Sequence, residues 1–258
     1  ADPILVTDQE GDIVLMNAAA ALVVAALAIV LGQAGAVLDG ATFVQSWPWI
    51  PALGLVASFR LDGFGLLFAL LILVIGLLVV IYARYYLAPA DSQERFYGLL
   101  LLFMGAMLGV VLSENLLLLV TFWELTSLSS FLLIGFWRHQ AEARRGARLA
   151  LMITGAGGLA LLAGVLLLGH VVGSFELTQV LASGALVKAH PLYETILVLV
   201  LLGAFTKSAQ FPFHFWLPHA MAAPTPVSAY LHSATMVKAG VFLLARLYPA
   251  LGGSEPWF

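Results

Sequence analysis

The sequence predicts an all-α polytopic membrane protein with about seven transmembrane helices, one of them discontinuous. Of its 258 residues, 62% are hydrophobic and only 10% are charged, whereas a soluble domain carries about a quarter charged residues. Long apolar segments recur along the chain, and each is close to the ~20 residues that a helix needs to cross the hydrocarbon core. Several prolines after residue 211 interrupt this pattern and predict a broken helix.

Seven apolar segments have the length and composition of transmembrane helices. They are residues 13–38, 61–83, 97–113, 115–137, 147–172, 192–209 and 226–248. A polar turn at 113–115 separates the third from the fourth, and residues 211–221 are predicted to continue the broken sixth helix briefly. No strand pattern is visible, and the loop 39–60, which contains Trp and Pro, is predicted to lie in the headgroup layer.

Basic residues are unevenly distributed between the two ends of the predicted helices. Arg60, Lys188 and Arg246 fall at one end. Six arginines fall at the other, namely Arg84, Arg95, Arg138, Arg144, Arg145 and Arg148. Because Lys and Arg are enriched in cytoplasmic loops, we expect the N-terminus and the loop 138–148 to be cytoplasmic.

The composition also argues against several classes of protein. The sequence has no cysteine, which excludes disulfides and thiolate metal sites within it, and its net charge of -3 does not suggest a nucleic-acid partner. Its histidines lack metal-ligand spacing with a carboxylate, and no redox motif is present, so no cofactor is expected. The start of the sequence has neither a methionine nor a basic signal region, and we expect it to be part of a longer chain.

The fourth segment carries a carboxylate, Glu124, at its centre. Thr121, Ser127 and Ser130 continue one polar arc with it at three-residue spacing. Hydroxyl groups commonly hydrogen-bond between membrane helices, so these alone are expected to be packing groups. A carboxylate at membrane depth must be protonated, paired or hydrated, and Glu124 is therefore predicted to be functional.

The sixth segment places Lys207 five residues before Pro212, so a charge and a helix break occur together at membrane depth. Broken helices with nearby charges recur in ion transporters. Glu124 and Lys207 could form either a static ion pair that joins two helices or a movable pair that exchanges a proton. The movable pair is favoured, because buried charges are costly and a buried pair is weak evidence for stability.

The last segment carries His232, Thr235 and Lys238, again three residues apart, in an arc of about 9 Å if the helix is regular. Lys238 precedes a further apolar run and is predicted to be a relay residue. His232 fits a packing role equally well. His214, just beyond Pro212, is either a relay residue or a polar side chain that fills the break.

Two other charged groups have simpler interpretations. Asp62 next to Arg60 is predicted to be a surface pair of little energetic worth. Glu142, with the three arginines that follow it, is predicted to lie in a solvated loop.

Four stretches of the sequence resemble the antiporter-like superfamily that Mrp cation/proton antiporters share with respiratory complex I. These stretches are RLDGFGLLFALL (60–71), TFWELTSLSSFLLIGFW (121–137), GAFTKSAQFPFHFWLPHAM (203–221) and APTPVSAYLHSATMVKAG (223–240). The second and fourth stretches are most similar to the A-type subunits of the Mrp antiporters.

This resemblance implies N-terminal helices at residues 1–96, a first antiporter-like five-helix repeat at 97–258, and an N-terminal part of a longer subunit. It also implies that Glu124 and Lys207 form a proton-switch pair and that His214, His232 and Lys238 continue a polar relay. The implied function is proton translocation in a multisubunit Na⁺ (monovalent cation)/H⁺ antiporter of a prokaryotic cell membrane. Its implied partners are other membrane subunits, and no enzymatic activity is expected.

Other functions are compatible with the same residues. One alternative is a proton-pumping subunit of complex I or of a membrane-bound hydrogenase, in which redox energy drives the relay. Another is the membrane subunit of an inorganic-carbon uptake complex. A structural scaffold, with Glu124 and Lys207 as an inert pair, is a further class. The subunits that co-purify with the chain distinguish these alternatives.

Overall fold

The structure, a computed structural model, describes residues 9–50, 55–88 and 90–257. Its regular elements are α1 (Gln9–Leu38), β1 (Phe43–Ile50), β2 (Leu55–Leu61), α2 (Gly63–Tyr86), α3 (Gln93–Leu112), α4 (Leu116–Ile134), α5 (Ala141–Val172), α6 (Leu177–Ala182), α7 (Gly184–Ala189), α8 (Tyr193–Lys207), α9 (Trp216–Ala220), α10 (Thr225–Ser228) and α11 (Met236–Leu251). The α-helices pack into one bundle, in which α5 contacts both α4 and α8.

Six helical segments in the described residues are long and apolar enough to cross a membrane. They are α2, α3, α4, α5, the segment Met16–Leu38 of α1 and the segment Thr225–Leu251. The predicted sixth span, α8, has only 15 residues, which cover about 22 Å of a hydrocarbon core of ~30 Å. The multi-pass membrane class is confirmed, and α8 is short because the chain breaks at its end.

The loop 39–60 contains an antiparallel hairpin, so the prediction that no strand is present was wrong. β1 pairs with β2 from Phe43 opposite Leu61 to Ile50 opposite Leu55. The strand β1 carries Pro48, and its residues from Phe43 to Pro48 are exposed on both faces. The alternation that identifies a strand requires one buried face, and this hairpin has none along that stretch.

A charged network joins α2, α11 and the hairpin at one end of the bundle. Asp62 caps α2 by accepting a hydrogen bond from the Gly65 N–H at 2.8 Å. Its carboxylate also accepts from both terminal nitrogens of Arg246, at 2.5 and 2.9 Å, and from Arg60, which extends to Glu114 at 3.4 Å. The prediction of an isolated surface pair was wrong, because α11 brings a second arginine to the same carboxylate.

The opposite end of the bundle carries the other arginines. Arg84 lies in the last turn of α2, Arg95 near the start of α3, and Arg138 between α4 and α5. The predicted solvated loop around Glu142 is instead the exposed start of α5, because this helix begins at Ala141. The arginine-rich end is therefore confirmed as one end of the bundle, and its cytoplasmic location stays a prediction.

We expect this location to be measurable with single cysteines, because the sequence has none of its own. Gln140→Cys and Thr42→Cys place thiols at exposed positions on opposite ends of the bundle. In intact cells an impermeant maleimide is expected to label Thr42→Cys and to spare Gln140→Cys until the membrane is opened. The reverse pattern of labelling would invert the topology.

The Asp62–Arg246 contact predicts a loss of stability in the variant Asp62→Asn. The Arg246 side chain is only 7% exposed, and removing one member of a buried ion pair leaves an uncompensated charge. We expect a loss of about 3 kcal/mol, the lower end of the usual range, because Asp62 keeps some contact with water. Thermal unfolding in detergent measures the effect, and Asp39→Asn, at an exposed aspartate, is the matched control.

The pH dependence of this loss follows from the pKa of Asp62. Partial burial alone would raise that pKa, but the hydrogen bonds and charge of Arg246 outweigh burial and hold it well below its usual range. Asp62 therefore contributes stability above the unfolded-state pKa of about 3.9 and loses it as the pH falls further. The difference between wild type and Asp62→Asn should stay constant from about pH 5 to 9. A difference that declines within this window would contradict the assignment.

Candidate functional site

The helix α8 ends in a Schellman motif. Ala209 adopts a left-handed conformation with φ of 50°. The Gln210 N–H donates to the Phe205 carbonyl at 2.9 Å, and the Ala209 N–H donates to the Thr206 carbonyl at 3.4 Å. This pattern ends many helices, usually with glycine at the left-handed position. The predicted break is confirmed, but the chain has already turned before it reaches Pro212.

The chain resumes as a 3₁₀ turn, Phe213–Phe215, followed by α9, as predicted. The buried Trp216 donates from Nε1 to the Thr206 carbonyl at 2.9 Å. Ser208 donates from Oγ to the Val237 carbonyl of α11 at 2.6 Å. These bonds satisfy backbone oxygens that an interrupted helix leaves open, which a buried break within a membrane requires.

The last residue of α8, Lys207, is completely buried. Its ammonium nitrogen donates to the Trp123 carbonyl at 2.9 Å and to the Ser127 hydroxyl at 2.7 Å, both on α4. The same nitrogen lies 5.1 Å from the centroid of the Trp123 ring, a distance that suits a cation–π contact. The charge of Lys207 is thus held by neutral groups of α4.

Glu124 follows Trp123 on α4, but its carboxylate extends toward α5. Its Oε1 is buried without a hydrogen-bond partner among the described residues. No nitrogen–oxygen distance within 4.0 Å joins Lys207 to Glu124 in that part of the chain. The two charges are still close enough to attract each other. The predicted pair is therefore brought together in space but is not in contact.

Two successive glycines of α5 make room for this arrangement. A Cβ added to Gly158 would overlap Oε1 of Glu124, and a Cβ added to Gly157 would overlap Oγ1 of Thr206. These glycines therefore receive α4 and α8 on neighbouring parts of one helix. Sequence reasoning missed them, although the small-residue run GAGGLA (155–160) is typical of close contacts between membrane helices.

The last predicted span has an irregular centre that the sequence did not predict. A π-helical turn, Ala229–Ala234, follows α10, and Thr235 separates it from α11 with φ of -129° and ψ of -80°. Thr235 donates from Oγ1 to the Tyr230 carbonyl at 2.7 Å. A π turn changes the angular position of the side chains that follow it, so three-residue spacing no longer marks one face.

The predicted polar arc is therefore wrong as a single surface. The His232 ring lies 6.0 Å from that of Trp216, and neither nitrogen makes a hydrogen bond of normal geometry, although the Ala220 backbone is nearby. Lys238 is exposed, and His214 is exposed and stacks on Phe211. No hydrogen bond links these three residues to Lys207 in the described chain, and their relay role stays a prediction.

No group of three or more His, Asp or Glu side chains in the described residues is arranged to hold a metal ion. The expectation that no cofactor is bound stays a prediction. What the site offers chemically is one buried amine, one half-buried carboxylate and a hydroxyl between helices, which is a set of groups suited to proton transfer.

Two family profiles match the chain. One is described as NADH:quinone oxidoreductase/Mrp antiporter, transmembrane, and covers residues 113–258. The other is described as NADH-ubiquinone oxidoreductase (complex I), chain 5 N-terminus, and covers residues 47–97. The first covers more than half of the chain.

Similar proteins carry antiporter names. A protein of Rhizobium meliloti, named as the A/B subunit of a K(+)/H(+) antiporter, is 60% identical over 252 residues, which are 98% of this chain and 25% of that protein. The A-type subunit of a Na(+)/H(+) antiporter of Alkalihalophilus pseudofirmus is 54% identical over 220 residues, which are 85% of this chain and 27% of that protein. The chain spans about a quarter of the length of these relatives.

Solved structures agree with this relationship. The chain matches a structure of the Mrp complex from Dietzia sp. with a TM-score of 0.85 and 38% identity, over 96% of this chain and 26% of the matched chain. An archaeal membrane-bound sulfane sulfur reductase matches at a TM-score of 0.78 and 19% identity, over 98% of this chain and 39% of that one, and this likeness concerns the fold alone. The chain belongs to the NADH:quinone oxidoreductase/Mrp antiporter transmembrane family, and within it the chain is similar to the N-terminal part of the A-type antiporter subunits.

Proposed function

We propose that this chain is a proton-translocating part of a multisubunit monovalent cation/proton antiporter in a prokaryotic plasma membrane. The observation that carries the proposal is the buried ammonium of Lys207, which rests on neutral oxygens while Glu124 lies nearby without contact. The names of the relatives support antiport, and they include both Na⁺ and K⁺. The similarity to one component of an assembled complex supports other membrane subunits as partners.

The contacts of Lys207 suit both protonation states of its amine. A protonated amine donates to the Trp123 carbonyl and to the Ser127 hydroxyl, as the structure has it. A neutral amine has a lone pair, and the Ser127 hydroxyl can turn and donate to it, whereas a carbonyl can only accept. Ser127 is therefore the contact through which the amine can lose its proton without leaving an unsatisfied group.

The carboxylate of Glu124 controls the free energy of the protonated amine. A negative charge near Lys207 stabilises the ammonium by Coulomb attraction, which is strong where water is excluded. Because the two groups are not in contact, a small movement of either one changes this attraction. In our proposal, approach of Glu124 favours proton uptake by Lys207, and withdrawal favours release. An arriving cation that competes for Glu124 has the same effect as withdrawal.

The alternative of an inert strut fits the contacts less well. A strut holds its two charges in a direct ion pair, and no such contact joins Glu124 and Lys207 in the described residues. The redox-driven alternatives have the same fold, but the similar relatives carry antiporter names. Antiport is therefore the function we propose.

The switch predicts the behaviour of two single variants. Glu124→Gln removes the charge that stabilises the ammonium, and Lys207→Ala removes the proton carrier. We expect each to lower cation-driven proton movement by about 100-fold, the usual effect of losing a proton-transfer group. The measurement is fluorescence of a pH indicator in inverted vesicles that carry the complete complex. Glu142→Gln, at an exposed glutamate, is the matched control and should be near wild type.

The double variant Glu124→Gln with Lys207→Ala separates the switch from the strut. A buried ion pair that is replaced on both sides by neutral groups is often tolerated, so a strut would regain activity in the double variant. A switch stays inactive, because no proton carrier remains. Near-normal antiport by an assembled double variant would refute the switch.

The glycine contact gives an independent prediction. Gly158→Ala places a methyl group where Oε1 of Glu124 lies, whereas Gly155→Ala, on the same helix, meets no atom within 4 Å. Both changes raise helix propensity by the same amount, so their difference isolates the contact. We expect Gly158→Ala to reduce the antiport rate severalfold and to shift its pH profile, and Gly155→Ala to do neither. Equal behaviour of the two variants would show that the position of Glu124 is unimportant.

A further inference from the structure

The arginine-rich end of the bundle contains a cavity that the proposed function does not use. It has a volume of about 360 Å³ and lies between the start of α3, the end of α4 and the start of α5. Four arginines line it, Arg95, Arg138, Arg144 and Arg148, together with apolar groups that include Phe131. Half of the eight arginines in the sequence thus converge on one cavity.

The four guanidinium groups have no carboxylate partner. Among the described residues no acidic oxygen lies within 4.0 Å of any of them. Arg144 donates to the carbonyl of Arg138 at 2.6 Å, and Arg148 donates to the carbonyl of Arg144 at 3.3 Å. Arg95 donates to the Phe136 carbonyl at 3.4 Å. Carbonyl oxygens carry no net charge, so the mutual repulsion of the arginines is not neutralised, and an anion in the cavity would relieve it.

A second cavity of about 490 Å³ adjoins the first, because Phe131 and Arg148 line both. Its other walls are mostly apolar and include Leu149 and Met152 of α5. Met152 is 64% exposed. A cationic pocket therefore continues into an apolar groove along the outer face of α5. A free anion has no use for such a groove, whereas an amphiphile fills both parts.

The depth of the site also fits an amphiphile. The cavity lies where three apolar helices begin or end, which is where the hydrocarbon core gives way to the headgroup layer. Trp137, next to Arg138, donates from its indole nitrogen to Asp91 at 2.9 Å, and tryptophan favours this layer. Basic pockets between membrane helices at this depth suit acidic lipid headgroups.

We infer that this pair of cavities binds an anionic glycerophospholipid. The phosphate lies among the guanidinium groups of Arg138, Arg144 and Arg148, and Arg95 closes the inner side. An acyl chain follows the groove past Phe131 and Met152. The arginines bind phosphate through pairs of N–H groups, which glutamine at the same positions cannot replace.

The inference is independent of the proton-transfer proposal and is tested by lipid binding. The complete antiporter complex is purified, stripped of lipid with detergent, and titrated with phosphatidylglycerol, cardiolipin or phosphatidylcholine under native mass spectrometry. We expect the two anionic lipids to bind and the zwitterionic lipid to bind much more weakly. The triple variant Arg138→Gln, Arg144→Gln, Arg148→Gln should bind the anionic lipids about 100-fold more weakly, since each arginine near a membrane surface contributes about a factor of five.

The control is Arg84→Gln, at the same end of the bundle but outside the cavity, which should bind as wild type does. The three arginines of the triple variant are exposed, so the complex is expected to assemble, and gel filtration checks this. Unchanged lipid binding by an assembled triple variant overturns the inference, as does equal binding of phosphatidylcholine. Inorganic phosphate that binds as tightly as the lipids identifies a free-anion site instead. A complete absence of lipid binding shows that another protein segment covers the arginines.

Discussion

The buried ammonium of Lys207 is the constraint on which the rest of the site depends. A charged amine without water needs oxygen atoms at hydrogen-bond distance, and α4 supplies them as the Trp123 carbonyl and the Ser127 hydroxyl. The helix α8 can deliver Lys207 to this position because it ends there. The open backbone groups of that end are satisfied by the Schellman motif and by Trp216.

The same constraint explains the close packing of α5. Its two glycines admit Glu124 from α4 and Thr206 from α8, so the acidic group and the helix that carries the amine meet on one surface. In a membrane, helices gain little from apolar burial and depend on such close contacts. The carboxylate that results is half-buried and not paired, a state that favours a change of partner over a fixed bond. Far from this site, Asp62 and Arg246 form the opposite case, a direct and multiply bonded ion pair that fixes α11 to α2.

Sequence patterns identified the class of the protein and most of its spans, because long apolar segments have a single stable use. They also identified Glu124 and Lys207, because an ionisable residue inside such a segment is rare and costly. They failed at the hairpin 43–61, where exposure of both faces of β1 removes the alternation. They failed again between His232 and Lys238, where a regular helix was assumed and a π turn is present.

By itself, the sequence therefore determined the membrane class, the approximate spans, the broken helix and the two buried charges, since each depends on the local chemistry of a short segment. Only the tertiary structure decided how those charges are held, because hydrogen bonds between α4 and α8 join residues about 80 positions apart. It also decided that Arg246 pairs with Asp62 and that four arginines surround one cavity. Such contacts depend on the relative position of helices, which hydropathy and spacing along one helix do not specify.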